Sequence, residues 1–410
     1  MKDGHLVDTP APGVYRPVAG TSDVPFSKFY KPDKLPPKIN LSDEVIRAYG
    51  AAIHSLGRLD GFWSEIEDPE SVFGLFVYKE AEQSSQVEGT RVTVSDMYKE
   101  GEDSKDVREA RNYASALKKA AKRLSEAGQS RENLSNELLK DLHRELMEGG
   151  RSEEDDPLPG EYRLSYVWID ESTDLGKQTR FVPPKSEIAV SRMADFERYM
   201  SSEGEYPDLI DIAILHYQIE TIHPFVDGNG RVGRLLIVLF LMAEDILLHP
   251  LFYLSSYIRR NRDKYTELLL KVSEEGEWNE WFKFFLTGIR EQADEAFSRA
   301  KLLLHLRDRY REEYEDARPS VRALLEEIFT EPVFTAKRAA DMIDMTYPAA
   351  NNAISILEDD GVLRERTEKE RYREFQADEV LDALNESVDK LPSPEELIEE
   401  DGNRFTDFAQ

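Results

Sequence analysis

Twelve residues hold the side chains best suited to chemistry: His223-Pro224-Phe225-Val226-Asp227-Gly228-Asn229-Gly230-Arg231-Val232-Gly233-Arg234. The stretch lies between two segments with helical periodicity, so 228–230 precedes a helix N-terminus. Backbone N–H groups there have no partner within the helix, and the helix dipole favours an anion. Two glycines let a phosphate approach the backbone closely. Arg231 and Arg234 stand one turn apart on nearly the same face, a pair suited to polyphosphate. Asp227 is a hard oxygen ligand, suited to Mg²⁺ on the same phosphates. His223 is the one group in the stretch with a pKa suited to general-base work. Together these residues point to a nucleotide phosphate site with a histidine base. The bland alternative is a structural turn beside a packed histidine, and each piece alone would favour it.

The elements expected to position this stretch are mostly helical. Proline at 10, 12, 17, 25, 32, 36 and 37 forbids long helices in residues 1–40, which read as an extended arm packed on the surface. From 41 the apolar spacing turns helical, with Ser42 as a cap. Further helices are expected over 69–87, 105–126, 134–148, 186–201, 208–222, 231–248, 256–274 and 278–308. Gly and Pro punctuate a loop over 150–165, and residues 166–169 and 180–183 read as a short hairpin. Residues 319–385 read as three helices and a hairpin, a winged-helix pattern. The acidic tail reads as disordered. The predicted fold class is mainly α: a helical core with a β-hairpin flap, followed by a small α+β winged helix. Its domains are an arm (1–40), an N-terminal helical region (41–150), a catalytic core (151–310), the winged helix (318–385) and the tail (390–410).

Composition narrows the chemistry. The 410 residues contain no cysteine, which excludes disulfides, thiolate catalysis and cysteine zinc sites. The formal net charge of -29 opposes general nucleic-acid binding, and an acidic surface adapted to high salt is one reading of it. No run approaches a membrane span, and the polar, proline-scattered start lacks a secretory core. A cytoplasmic protein is expected.

The stretch 223–234 resembles the Fic motif, His-Pro-Phe-x-(Asp/Glu)-Gly-Asn-Gly-Arg-x-x-Arg, at every fixed position. Gly160-Glu161-Tyr162-Arg163 with the following hairpin is similar to the family's target-binding flap. Tyr253-Leu254-Ser255 and Asn261-Arg262 with Tyr265 resemble the segment closing the nucleotide pocket, and the arm with the first helices resembles the N-terminal Fic region. The resemblance covers about residues 20–290. It implies an all-α Fic core that transfers AMP from ATP to a Ser, Thr or Tyr hydroxyl of a target protein. It also implies roles. His223 would deprotonate the hydroxyl, and Asp227 would hold Mg²⁺ between the α- and β-phosphates. Gly228, Asn229 and Gly230 would stabilise the transferring phosphate, with Gly233 in the same phosphate-binding turn. Arg231 and Arg234 would bind the outer phosphates. Relatives that act as kinases carry lysine at the second motif glycine. Gly230 stands here, which favours AMP transfer.

Ser84-Ser85-Gln86-Val87-Glu88-Gly89 resembles the family's inhibitory pattern, (Ser/Thr)-x-x-x-Glu-(Gly/Asn). Ser84 and Glu88, four apart, are expected on one helix face. The resemblance implies that Glu88 pairs with Arg234, occupies the γ-phosphate position and holds ATP unproductively. In the flap, Val167, Trp168, Ile169, Phe181, Val182 and Pro183 are expected to carry the target edge by strand addition. Tyr265 and Leu268 are candidates for the base pocket. His216, Glu220 and His223 have spacing that could hold a metal, but a packed His216 is expected instead. The aromatic run from Trp278 to Phe285 reads as core. The winged helix offers no Lys or Arg on its presumed recognition helix, 346–357, so DNA is disfavoured as a partner. A protein partner, a homodimer and self-modification remain open. Removal of AMP from a modified protein and a nucleotide-sensing DNA-binding regulator are the alternative functions.

Overall fold

The structure, a computed structural model, describes residues 10–18, 24–64, 66, 70–99, 101, 104–149, 158–173, 176–367 and 373–398. Two antiparallel strands open it, β1 (Gly13–Pro17) and β2 (Lys28–Pro32). Helices α1 (Asp43–Ser64), α2 (Glu70–Val87), α3 (Val94–Tyr98), α4 (Lys105–Ala127) and α5 (Asn136–Leu146) follow. A second hairpin, β3 (Ile169–Thr173) with β4 (Gly176–Phe181), leads to α6 (Ser186–Met200), α7 (Asp208–Ile222) and α8 (Asn229–Ala243). Next come α9 (Ser255–Arg260), α10 (Arg262–Glu275) and the long α11 (Trp278–Glu313). The C-terminal elements are α12 (Pro319–Glu327), β5 (Val333–Thr335), α13 (Ala336–Met342), α14 (Tyr347–Asp359), β6 (Arg364–Glu365), β7 (Glu374–Gln376) and α15 (Asp378–Asn385). Their three strands pair antiparallel in the order β5-β7-β6. No helix among the described residues is long and apolar enough to cross a membrane.

The chain divides into two compact units. The first is Met1–His54, Ser115–Pro250 and Leu254–Arg290; the second is Ser55–Ala114, Leu251–Tyr253 and Glu291–Gln410. The division falls within α1, α4 and α11, not at the expected boundaries near 150 and 310.

In the first unit α7 is the central rod. Apolar residues surround it, from Leu209 to Ile222, as expected of a helix buried on all faces. Its first-turn Asp208 and Asp211 oppose the positive end of the helix dipole, and both reach Arg131. Equally buried α8 packs along α7. Gly233 makes that approach possible: a Cβ there would lie 3.0 Å from Glu220 Oε1 and 3.3 Å from Ile219 Cγ2. The glycine expected to bind phosphate is therefore explained by helix packing.

Several expected elements are redrawn. The arm is not irregular: its two strands pair in register from Gly13–Pro32 to Pro17–Lys28. The helix expected over 256–274 breaks at Asn261, whose amide holds the Tyr257 carbonyl at 3.0 Å. The helix expected to run to 248 stops at Ala243, because Asp245 turns left-handed and Ile246 bonds back to Leu241. The short α3 went unseen; it is nucleated by a capping box between Thr93 and Asp96.

In the second unit the tail expected to be disordered is ordered to residue 398. Leu397 is buried, and the Ser298 hydroxyl donates to the Pro392 carbonyl. Its remainder, 399–410, lies outside the described residues.

Candidate nucleotide site

His223 is placed by the end of α7. The following Pro224 disfavours the right-handed helical region at His223, so the helix stops there. His223 adopts φ 50°, ψ 61°, a left-handed conformation uncommon for a side chain of this size, while its N–H still closes on the Ile219 carbonyl at 2.9 Å. The cost of that conformation is offset by Arg163. This side chain is 1 % exposed and donates to the carbonyls of His223 (2.7 Å), Ser165 (2.8 Å), Pro184 and Ile222 (3.3 Å). The Arg163 backbone N–H adds a bond to the Pro224 carbonyl at 2.9 Å. Burial pushes the guanidinium down to about 10, so it is still charged at neutral pH. Arg163, read from the sequence only as flap lead-in, is the clamp on the turn that carries His223. Its signal was the type itself: a planar fork with five donors suits a cluster of carbonyls.

His223 Nδ1 lies 3.3 Å from the Glu220 carbonyl. A carbonyl only accepts, so the neutral ring holds its proton on Nδ1 and its basic lone pair on Nε2.

The turn from 224 to 229 leads into α8. Gly228, at φ 78°, is the N-cap, with no side-chain cap over the first-turn N–H groups. That leaves the helix N-terminus suited to an anion. Asn229 departs from expectation. Its Oδ1 accepts from Phe225 N at 2.8 Å and its Nδ2 donates to Phe225 O at 3.0 Å, both buried. The side chain braces the turn, so its part toward phosphate falls to its backbone N–H. Arg231 and Arg234 are 4 % and 3 % exposed. Arg231 Nη2 lies 3.6 Å from Asp227 Oδ1, and the half-exposed Asp227 carboxylate also accepts the Gly228 N–H at 2.7 Å.

Asp227 provides a single carboxylate, and no group of three metal-ligating side chains occurs among the described residues. That donor set suits Mg²⁺, which keeps several waters and binds through one or two carboxylates plus substrate phosphates.

His216 is part of the packing. Its Nδ1–H donates to the Gly233 carbonyl (3.3 Å), and Nε2 accepts from the Tyr265 hydroxyl (2.8 Å). Trp281 and Phe285 flank it. Tyr265 and Leu268, the candidates for a base pocket, are both buried, with Tyr265 tied to His216. Burial, with the Arg234 charge nearby, pushes His216 down to about 3 from an ordinary value of 6.5. The folded chain therefore keeps this ring neutral where the unfolded chain binds a proton. The contribution is fully present above about pH 6.5 and is lost as pH falls toward about 3, by up to about 1.4 kcal/mol per pH unit. The urea midpoint of the parent should accordingly fall more steeply between those pH values than that of His216→Gln. Equal slopes would contradict it.

The flap hairpin begins later than expected, at Ile169, with an irregular register between Ile169 and Asp170. Val167 and Trp168 precede it. Trp168 and Ile169 are exposed, Phe181 is half-buried, and Val182 and Pro183 are buried. Val182 O accepts the Tyr30 N–H at 2.8 Å. Phe26 packs on Tyr166 and Trp168, and Tyr30 on Phe181. The arm is thus a support for the flap stem, and Val182 and Pro183 serve that support, not an exposed edge.

In the second unit, α2 ends at Val87, one residue before Glu88. Ser84 is fully buried while Glu88 is exposed in the following turn, so the two do not face the same way. Gly89 takes φ 97°, which explains glycine there. In the C-terminal elements, carboxylates pair with Arg311, Arg338, Arg364 and Arg373, from Glu326, Glu331, Asp378 and Glu365 respectively.

A left-handed histidine ends α7 five residues before the N-cap of α8, within a mainly helical core. Residues 133–241 match the family model described as Fic/DOC family, and 46–122 that described as Fic/DOC family N-terminal. Those two segments are therefore similar to the Fic/DOC family. It is 28% identical over 192 residues to a probable protein adenylyltransferase of Aquifex aeolicus, covering 47% of this chain and 53% of that one. It is 31% identical over 147 residues to the protein adenylyltransferase Fic of Drosophila erecta, covering 35% and 26%. The chain thus spans about half the length of the first relative and a quarter of the second. The crystal structure of a Fic family protein from Desulfovibrio desulfuricans G20 superposes with a TM-score of 0.53 at 18% identity, over 83% of this chain and 98% of that chain, a likeness of fold.

Proposed function

We propose that this chain is a protein adenylyltransferase that moves AMP from ATP to a Ser, Thr or Tyr hydroxyl of a target protein. The observation that carries the reading is the left-handed His223 at the end of α7, followed by an α8 N-terminus without a side-chain cap and by the buried Arg231 and Arg234. His223 takes the hydroxyl proton, the hydroxyl oxygen attacks the α-phosphorus, and pyrophosphate leaves. The α8 N-terminus offers N–H groups to the α-phosphate, and the two arginines hold the departing phosphates. Asp227 would hold Mg²⁺, which would supply charge neutralisation to the nucleotide phosphates. Trp168 and Ile169 present the exposed part of the flap to the target backbone.

Glu88 acts as the brake, as the family's inhibitory pattern implies. The C-terminal elements form a winged helix that docks protein; the paired state of Arg311, Arg338, Arg364 and Arg373 leaves little charge for phosphodiesters. Cytoplasmic residence accompanies this reading.

Intact-protein mass after incubation with ATP and Mg²⁺ tests transfer and brake together. Self-modification of Glu88→Gly should proceed about a hundredfold faster than that of the parent, the scale of a bidentate charge-assisted pair. Equal rates in the two would remove Glu88 from the account, and no mass gain with any nucleotide or target would remove AMP transfer.

A further inference from the structure

We infer that His143 is a positioning residue for the phosphate-binding turn, fixing the direction of the Asp227 carboxylate through a neutral imidazole protonated on Nε2. The inference rests on the reading of residues 223–234 as a nucleotide site. His143 sits on α5 among Leu138, Leu139, Leu142 and Leu146 and is 2 % exposed, the setting of an ordinary packed histidine. Its contacts set it apart, because they reach two other segments. Nδ1 accepts the Gly160 N–H at 2.7 Å. A backbone N–H only donates, so Nδ1 holds the lone pair and Nε2 holds the proton. Nε2 therefore donates to the Asp227 carbonyl, 3.0 Å away. The ring also stacks on Phe225 at 3.9 Å, with 4° between planes.

The consequence follows from one peptide plane. The Asp227 carbonyl and the Gly228 N–H belong to the same planar unit. His143 holds its oxygen, and the Asp227 carboxylate bonds its N–H at 2.7 Å. Turning that peptide turns the carboxylate with it. A Cβ on Gly228 would lie 3.5 Å from His143 Cδ2 and 3.3 Å from Met147 Sδ, so α5 walls the turn as well as pinning it.

Two near-isosteric variants separate the bonds. Glutamine can place a donor where Nε2 stands; asparagine can keep the Nδ1-like acceptor for Gly160 but withdraws the donor from Asp227. In the full chain, calorimetry with ATP and MgCl₂ should show Kd raised about tenfold in His143→Asn and by less than about threefold in His143→Gln, the scale of one lost hydrogen bond. Equal weakening in both, or in neither, overturns the inference. Should the variants fail to fold, ¹⁵N histidine spectra of the parent decide it: an Nε2-protonated His143 is expected, and an Nδ1-protonated ring overturns it. A parent that binds no Mg·ATP overturns the nucleotide reading instead, and the tautomer then judges the clamp alone.

Discussion

In a Glu88→Gly background, His223→Ala should slow AMP transfer by about a hundredfold to ten-thousandfold, the range of a lost general base. ATP affinity should stay unchanged. The split follows from geometry. The turn from 222 to 229 is held by groups other than the imidazole: Asn229 braces Phe225, and Arg163 grips the carbonyls of Ile222 and His223. These partners contact the main chain at 222, 223 and 225, so alanine at 223 leaves them in place. Removal of the ring takes away the Nε2 lone pair. Single-turnover mass spectrometry gives the rate and calorimetry the affinity. Undiminished transfer would mean that another group takes the proton. Affinity falling in step with rate would mean that the ring supports the turn, contrary to the carbonyl clamp described here.

The candidate site was legible in the sequence because it is local. His223, Asp227, the Gly228-Asn229-Gly230 turn and two arginines lie within twelve residues, and the helix that begins at Asn229 follows from the residue pattern. The helical rods were legible too, since α7 and α8 are long and apolar. What could not be read is what reaches the turn from elsewhere. Arg163 contacts residues about 60 positions away and His143 one 84 away, and no period in the chain announces either. The arm hairpin was hidden by its prolines, which sit at strand ends and loops where a missing donor is tolerated. The flap was displaced by about three residues because the aromatic run at 166–168 looks like a strand, yet is spent on Phe26 and Phe29. The shared face of Ser84 and Glu88 failed for a smaller reason. The helix tightens at its end, where Glu88 N bonds Ser85 O three residues back, and Glu88 falls in the turn that follows.

Asn229→Ala should be the most damaging change that leaves every charged group in place. The substitution strands the Phe225 N–H and C=O, both buried, at a combined cost of about 2–5 kcal/mol in stability. It also releases the turn between Pro224 and Gly228, and displacement by about an ångström is enough to cost about a hundredfold in transfer. Thermal unfolding and turnover should therefore fall together. Asn229→Asp should do no better than alanine. Its carboxylate can still accept from Phe225 N, but it faces the Phe225 carbonyl with no proton to give and adds a negative charge where phosphate is to bind. The bracing role is separable from a direct phosphate contact. If the amide touched nucleotide, alanine would lower ATP affinity while the melting temperature held. A fall in stability without nucleotide present, matched by both variants, is the signature of a side chain whose hydrogen bonds are already committed to the main chain of Phe225.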